Sequence, residues 1–151
     1  MKLVLLIPLS LMVISDFRSR EVSLWHLLLF GWMQIAFAIA GYGLAEAGKN
    51  ILRNTLICLA VCLFCFVWFR FRGKRVKEMT GLGDLIFIWF LTPVFTYCEF
   101  PVFITGSFTV ILTAWTIKYL AGKATRDIPL VSGIGICYAF FLIYSFFYQY
   151  D

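Results

Sequence analysis

Six almost unbroken apolar stretches, at 3–15, 24–44, 51–69, 85–98, 101–120 and 128–148, leave this chain few ways to fold. A helix that packs on a soluble core shows one apolar stripe, whereas these runs are apolar on every side and belong in lipid. There, each backbone polar group has to be satisfied within its own helix, and about 20 residues are needed to cross. Hydrophobic residues fill 62% of the 151 positions and charged residues only 14%, which argues against a soluble domain. The runs predict an all-α polytopic membrane protein of six transmembrane helices, with residues 1–151 as a single domain and no length left for another.

The breaks between runs have their own chemistry. Lys2 ahead of a short apolar run could open a secretory signal, but no small-residue cleavage pair follows, and Asp16-Phe17-Arg18 makes a poor exit. Glu99-Phe100-Pro101 reads as a tight turn between the fourth and fifth spans, and the polar segment 118–127 separates the fifth from the sixth. With six spans the basic residues divide ten to three. Arg18, Arg20, Arg70, Arg72, Lys74, Arg75, Lys77, Lys118, Lys123 and Arg126 fall on one side, and Lys2, Lys49 and Arg53 on the other. The positive-inside rule then predicts the richer side in the cytoplasm and both termini outside. The run from Arg70 to Lys77 is expected to be topogenic and to meet anionic headgroups, at about 1 kcal/mol per charge.

Two acids stand where hydrocarbon begins. Asp16 closes the first run and Asp84 opens the fourth, and the orientation just derived puts both on the cytoplasmic side although neither entered the count. A carboxylate at mid-bilayer costs about 2.5 to 3.5 kcal/mol on insertion scales, so a chain retains one for a reason. The runs beside them, 13 and 14 residues long, cover only about 20 Å, so the helices are expected to continue past the acids, with Asp16 and Asp84 just below the surface. Two carboxyl groups brought together share a proton, leaving one as a base toward water and one as an acid toward a carbonyl oxygen.

Asp16-Phe17-Arg18-Ser19-Arg20-Glu21-Val22 resembles the signature that closes the first catalytic helix of the type IV prepilin peptidases, and Gly81-Leu82-Gly83-Asp84 is similar to their Gly-x-Gly-Asp motif. Ile128-Pro129-Leu130-Val131-Ser132-Gly133 is similar to the Ile-Pro start of the family's last helix. The resemblance spans nearly the whole chain. It implies a membrane aspartic endopeptidase that removes the short basic leader of type IV prepilin-like or preflagellin-like precursors at the cytoplasmic face, with Asp16 and Asp84 as the catalytic pair. Ser23, Leu24 and Ile86 depart from the proline, asparagine and lysine common in bacterial members. The paired Cys-x-x-Cys motifs that accompany N-methylation in the larger enzymes do not precede the first helix, so peptidase without methyltransferase activity is expected.

Gly81 and Gly83 are expected to let the loop bend and come close to the substrate strand beside Asp84. Glu21, Glu78 and Asp127 are candidates for contact with a basic leader, and Asp127 is also positioned to cap the last helix, with Pro129 in its first turn. No cofactor, metal or nucleic-acid partner is expected; the partners are a precursor protein and membrane lipids. Cys58, Cys62 and Cys65 share one face of the third helix, with Cys98 and Cys137 in other spans, a pattern of packing rather than zinc or disulfide chemistry. His26 with Ser132 offers a serine dyad, but without a nucleophile elbow. Tryptophans and tyrosines near span ends read as interface anchors. Small residues at Gly41-Tyr42-Gly43 and Gly106-Ser107 read as sites of close helix approach, and Pro93 as a kink turning Asp84 toward Asp16. Against the peptidase stands a non-catalytic six-helix protein of assembly or transport, for which acids deep within the spans would speak. A lipid-modifying enzyme would need an aspartate cluster for a metal-bound diphosphate.

Overall fold

In the computed structural model, which describes residues 2–19, 23–71, 81–122 and 130–148, the apolar runs are helices. A 3-10 turn, Lys2–Leu5, leads into α1 (Leu6–Ser19). Then follow α2 (Leu24–Tyr42), α3 (Leu44–Phe71), α4 (Leu82–Leu91), α5 (Glu99–Leu120) and α6 (Leu130–Tyr148), with no strand among the described residues. Four segments are long and apolar enough to cross a membrane: Leu24–Tyr42, Leu44–Val67, Glu99–Leu120 and Leu130–Phe147. The other two are shorter. α1 has 14 residues and α4 only 10, about 21 and 15 Å of helix against a hydrocarbon core of about 30 Å. The 3-10 turn of 4 residues adds about 8 Å to α1. Large apolar side chains such as Leu59, Leu63 and Phe64 on α3 and Val102, Val110 and Ile117 on α5 lie on the outside, a surface suited to hydrocarbon.

The chain divides into two compact units, Met1–Phe30 with Val102–Asp151, and Gly31–Pro101. In the first, α1 buries Leu9, Met12 and Asp16, continuing the stripe that Leu5 begins, while Val4, Ile7, Leu11 and Ile14 face away. α6 answers with Val131, Ile134, Tyr138 and Leu142, all 1% exposed or less. Tyr138 also meets Phe30 and Phe103 edge-on at 6.1 and 6.0 Å between ring centres, so α2 and α5 join the same core. At Gly133 a Cβ would overlap the side chain of Ile111, so glycine is what lets α6 approach α5.

The second unit is built around the end of α4. Pro93 has no N–H to return to the carbonyl of Trp89, and α4 stops just before it. The Thr92 amide and hydroxyl both donate to that carbonyl instead, at 3.0 and 2.7 Å. The non-helical segment 92–98 is then held by side chains. Asn54, fully buried on α3, donates both amide hydrogens, to the Thr92 carbonyl at 2.9 Å and the Phe95 carbonyl at 2.8 Å. The Tyr42 hydroxyl donates to the Val94 carbonyl at 3.2 Å, and the Trp89 indole to the Thr55 hydroxyl at 3.0 Å. In lipid these partners matter, because irregular backbone survives at membrane depth only where protein or water satisfies it. Gly31 lets α2 pack against α4, since a Cβ there would overlap the Phe90 ring.

Several expectations are corrected by this geometry. The fourth helix runs over Leu82–Leu91 and not 85–98, so Pro93 terminates it and has no helix to kink. Glu99-Phe100-Pro101 is not a turn but the start of α5. Thr96 and Glu99 form a reciprocal cap there, the Thr96 amide donating to Glu99 Oε2 at 3.1 Å and the Glu99 amide to Thr96 Oγ1 at 3.4 Å, with Pro101 tolerated in the opening turn. α3 begins at Leu44, ahead of the apolar run, and Glu46 and Lys49 are paired there at 2.6 Å. A side chain added at Gly41 or Gly106 would find no neighbour within 4 Å of its Cβ, so neither glycine marks close approach. Gly43, at φ 81°, ends α2 in the left-handed conformation with its N–H on the Ile39 carbonyl at 2.9 Å. Cys62 and Cys65 are exposed, and Cys98 lies in the turn before α5, so core packing does not account for these three.

Candidate active site

α1 does continue past Asp16, by one turn, to Ser19. The carboxylate is thus in the last turn of its own helix, the end where the backbone dipole disfavours negative charge. It is buried, 7% exposed, and its partner comes from α6. The Ser132 backbone N–H donates to Asp16 Oδ2 at 2.9 Å and the Ser132 hydroxyl donates to the same oxygen at 2.5 Å. Ser132 is the third residue of α6, where helices leave N–H groups with no partner of their own, and the α6 dipole favours an anion there. Hydrogen bonds to a charged group contribute about 1.5 to 3 kcal/mol each. Two of them are enough to offset the roughly 2.5 to 3.5 kcal/mol that a carboxylate costs in hydrocarbon.

Asp84 belongs to the other unit, in the first turn of α4. Gly81 is the N-cap and Asp84 the third residue after it, with the Asp84 amide donating to the Gly81 carbonyl at 3.1 Å. Here the α4 dipole favours the carboxylate, the opposite of its effect at Asp16. The two motif glycines turn out to be unequal. Gly81 has φ −67° and ψ 137°, open to any residue, but its missing Cβ makes room for Asp84, whose Oδ2 would be 3.1 Å from it. A Cβ on Gly83 would meet nothing within 4 Å. The expected flexible bend is therefore not the reason for the first glycine; the returning carboxylate is.

Glu21, Glu78, Asp127 and most of the basic run, from Arg72 to Lys77, lie outside the described residues, as does Pro129. The sequence offers Ser132 as a nucleophile for His26, yet its hydroxyl is given to Asp16, while among the described residues the buried His26 Nδ1 has no hydrogen-bond partner. The one local sign of its actual role is a small hydroxyl residue in the opening turn of a helix. Among the described residues no group of three or more histidine, cysteine or acidic side chains is arranged to hold a metal. Comparison with protein-family models, curated proteins and solved structures finds no match to this chain.

Proposed function

We propose that this chain is a membrane aspartic endopeptidase that cleaves the short basic leader of prepilin-like or preflagellin-like precursors, with Asp16 and Asp84 as the reacting pair. The observation that carries the reading is that both acids fall at helix ends, one buried and doubly hydrogen-bonded in the last turn of α1, the other in the first turn of α4 behind a glycine that makes room for it. The proposed protein sits in the cytoplasmic membrane of a prokaryote with six crossings, both termini outside and the acids toward the cytoplasm. Glu21, Glu78 and Asp127 are its proposed contacts to the leader.

The chemistry follows from a shared proton. One carboxylate takes a proton from water as the oxygen attacks the scissile carbonyl carbon, and the neutral partner gives its proton to the carbonyl oxygen. The tetrahedral diol then collapses: one of its hydroxyls gives a proton to the carboxylate of the pair as the C–N bond breaks, and the leaving nitrogen takes a proton from the neutral partner. The two acids titrate as a unit, so acid and base are roles of the pair. Membranes containing the protein are incubated with a precursor bearing a basic leader, comparing wild type with Asp16→Asn and Asp84→Asn. Cleavage is expected to fall at least about 100-fold in each, the usual scale for loss of a general acid or base. Cleavage retained by either folded variant refutes the reading.

One observation favours a second reading, a non-catalytic membrane protein of assembly or transport: Asp16 already has structural work as a cap on α6. Asparagine keeps an acceptor for Ser132, so Asp16→Asn separates the two. In the second reading it leaves every function of the protein intact, and only Asp16→Ala is damaging.

A further inference from the structure

Among the described residues, the hydrogen bonds that the Asp16 side chain accepts fall on one oxygen of the carboxylate. Oδ2 accepts twice from Ser132, and among the described residues Oδ1 takes no hydrogen bond. The Ser132 hydroxyl has one hydrogen and two acceptors in reach, Asp16 Oδ2 at 2.5 Å and the Val13 carbonyl at 3.3 Å, so it serves the carboxylate. Ser132 is fully buried, its backbone fixed by α6, and Gly133 beside it seats that helix tightly on Ile111. Its two donors are held in place before any substrate arrives.

We infer that Ser132 is a positioning residue: it ties Oδ2 of Asp16 to the start of α6 and so reserves Oδ1 as the oxygen that exchanges a proton. The backbone donor alone would let the carboxylate swing about a single hydrogen bond. The hydroxyl, arriving from a second direction, fixes its rotation. This last step, from a fixed oxygen to proton transfer with water, rests on the peptidase reading; the fixing of the carboxylate does not.

The test therefore has two readouts on the full chain in detergent or membranes. The first is modification of Asp16 by dicyclohexylcarbodiimide at one fixed pH, mapped by mass spectrometry, which needs no substrate. Ser132→Ala is expected to raise the rate at Asp16 about tenfold, as one charge-assisted hydrogen bond is lost, and Ser132→Thr to match wild type. Ser145→Ala, which removes another hydroxyl from α6, is expected to change nothing. Ser132→Cys keeps the volume with a weak donor and is expected to fall between, which keeps the test open if the alanine variant fails to fold. The second readout is precursor cleavage, where kcat is expected to drop roughly 10- to 100-fold in Ser132→Ala with KM within about twofold, and to be restored by threonine. Wild-type modification rates in folded Ser132→Ala and Ser132→Cys overturn the inference. The expected modification pattern with no cleavage by wild type supports the fixing of Asp16 and removes the peptidase reading alone.

Discussion

Replacing Asn54 by alanine should loosen the segment that follows α4, and the size of the effect can be worked from its contacts. Two carbonyls, of Thr92 and Phe95, lose donors at 2.9 and 2.8 Å, and each buried group left unsatisfied costs about 1 to 3 kcal/mol. Against this, Asn54 Oδ1 is itself buried with no partner among the described residues, and removing it returns a similar amount. The balance is a loss of about 1 to 3 kcal/mol, one unsatisfied group more than in wild type. Asn54→Asp should be worse, because a carboxylate would turn acceptors toward two carbonyl oxygens and has no hydrogen to give unless it binds a proton. Equilibrium unfolding in mixed micelles measures the stability. Hydrogen exchange at 92–98 should rise well before that of α6. Unchanged stability together with unchanged exchange in both variants would show that the amide does not hold this segment.

The two motif glycines should respond differently. In Gly81→Ala the new Cβ forces the Asp84 carboxylate aside, and precursor cleavage is expected to fall about tenfold or more, whereas Gly83→Ala, with open space around it, should retain activity and gain up to about 1 kcal/mol of helix stability; equal losses in cleavage assays would contradict this. Cys98 is exposed in the turn before α5, and the proposed six crossings would put that turn on the outer side, so a membrane-impermeant maleimide added to intact cells should label Cys98 and a Cys98→Ser variant should lose the label. Labelling of Cys98 only after the cells are opened would reverse the assigned orientation.

Length and apolarity alone make most of the helices legible. α2 and α5 begin or end within two residues of the runs at 24–44 and 101–120, because in these stretches almost every side chain argues for the same solvent. The fourth helix departs from its run because hydropathy continues through 85–98 while hydrogen bonding does not. Pro93 withholds one donor, and the helix can end there only since Asn54, 38 residues earlier, satisfies a carbonyl beyond it. At the start of α5 a charge beside proline suggests a turn, yet the Thr96-x-x-Glu99 pattern carries the cap in plain view and prevails. For the site, the cost of an acid in hydrocarbon singles out Asp16 and Asp84. The identity of Asp16's partner is not legible, since nothing local in a chain announces a hydrogen bond to a serine 116 residues away.

That separation has a consequence for how the protein is made. Asp16 is synthesised long before Ser132, and at roughly 5 to 20 residues per second the ribosome needs about 6 to 23 seconds to reach its partner. For that interval the first helix has an ionisable group with no α6 to receive it, so in the proposed membrane protein it would wait at the lipid headgroups, or within the insertion machinery, where water is at hand. Its seating becomes permanent only when the final helix is delivered, which makes closure of α6 onto α1 a late checkpoint in biogenesis.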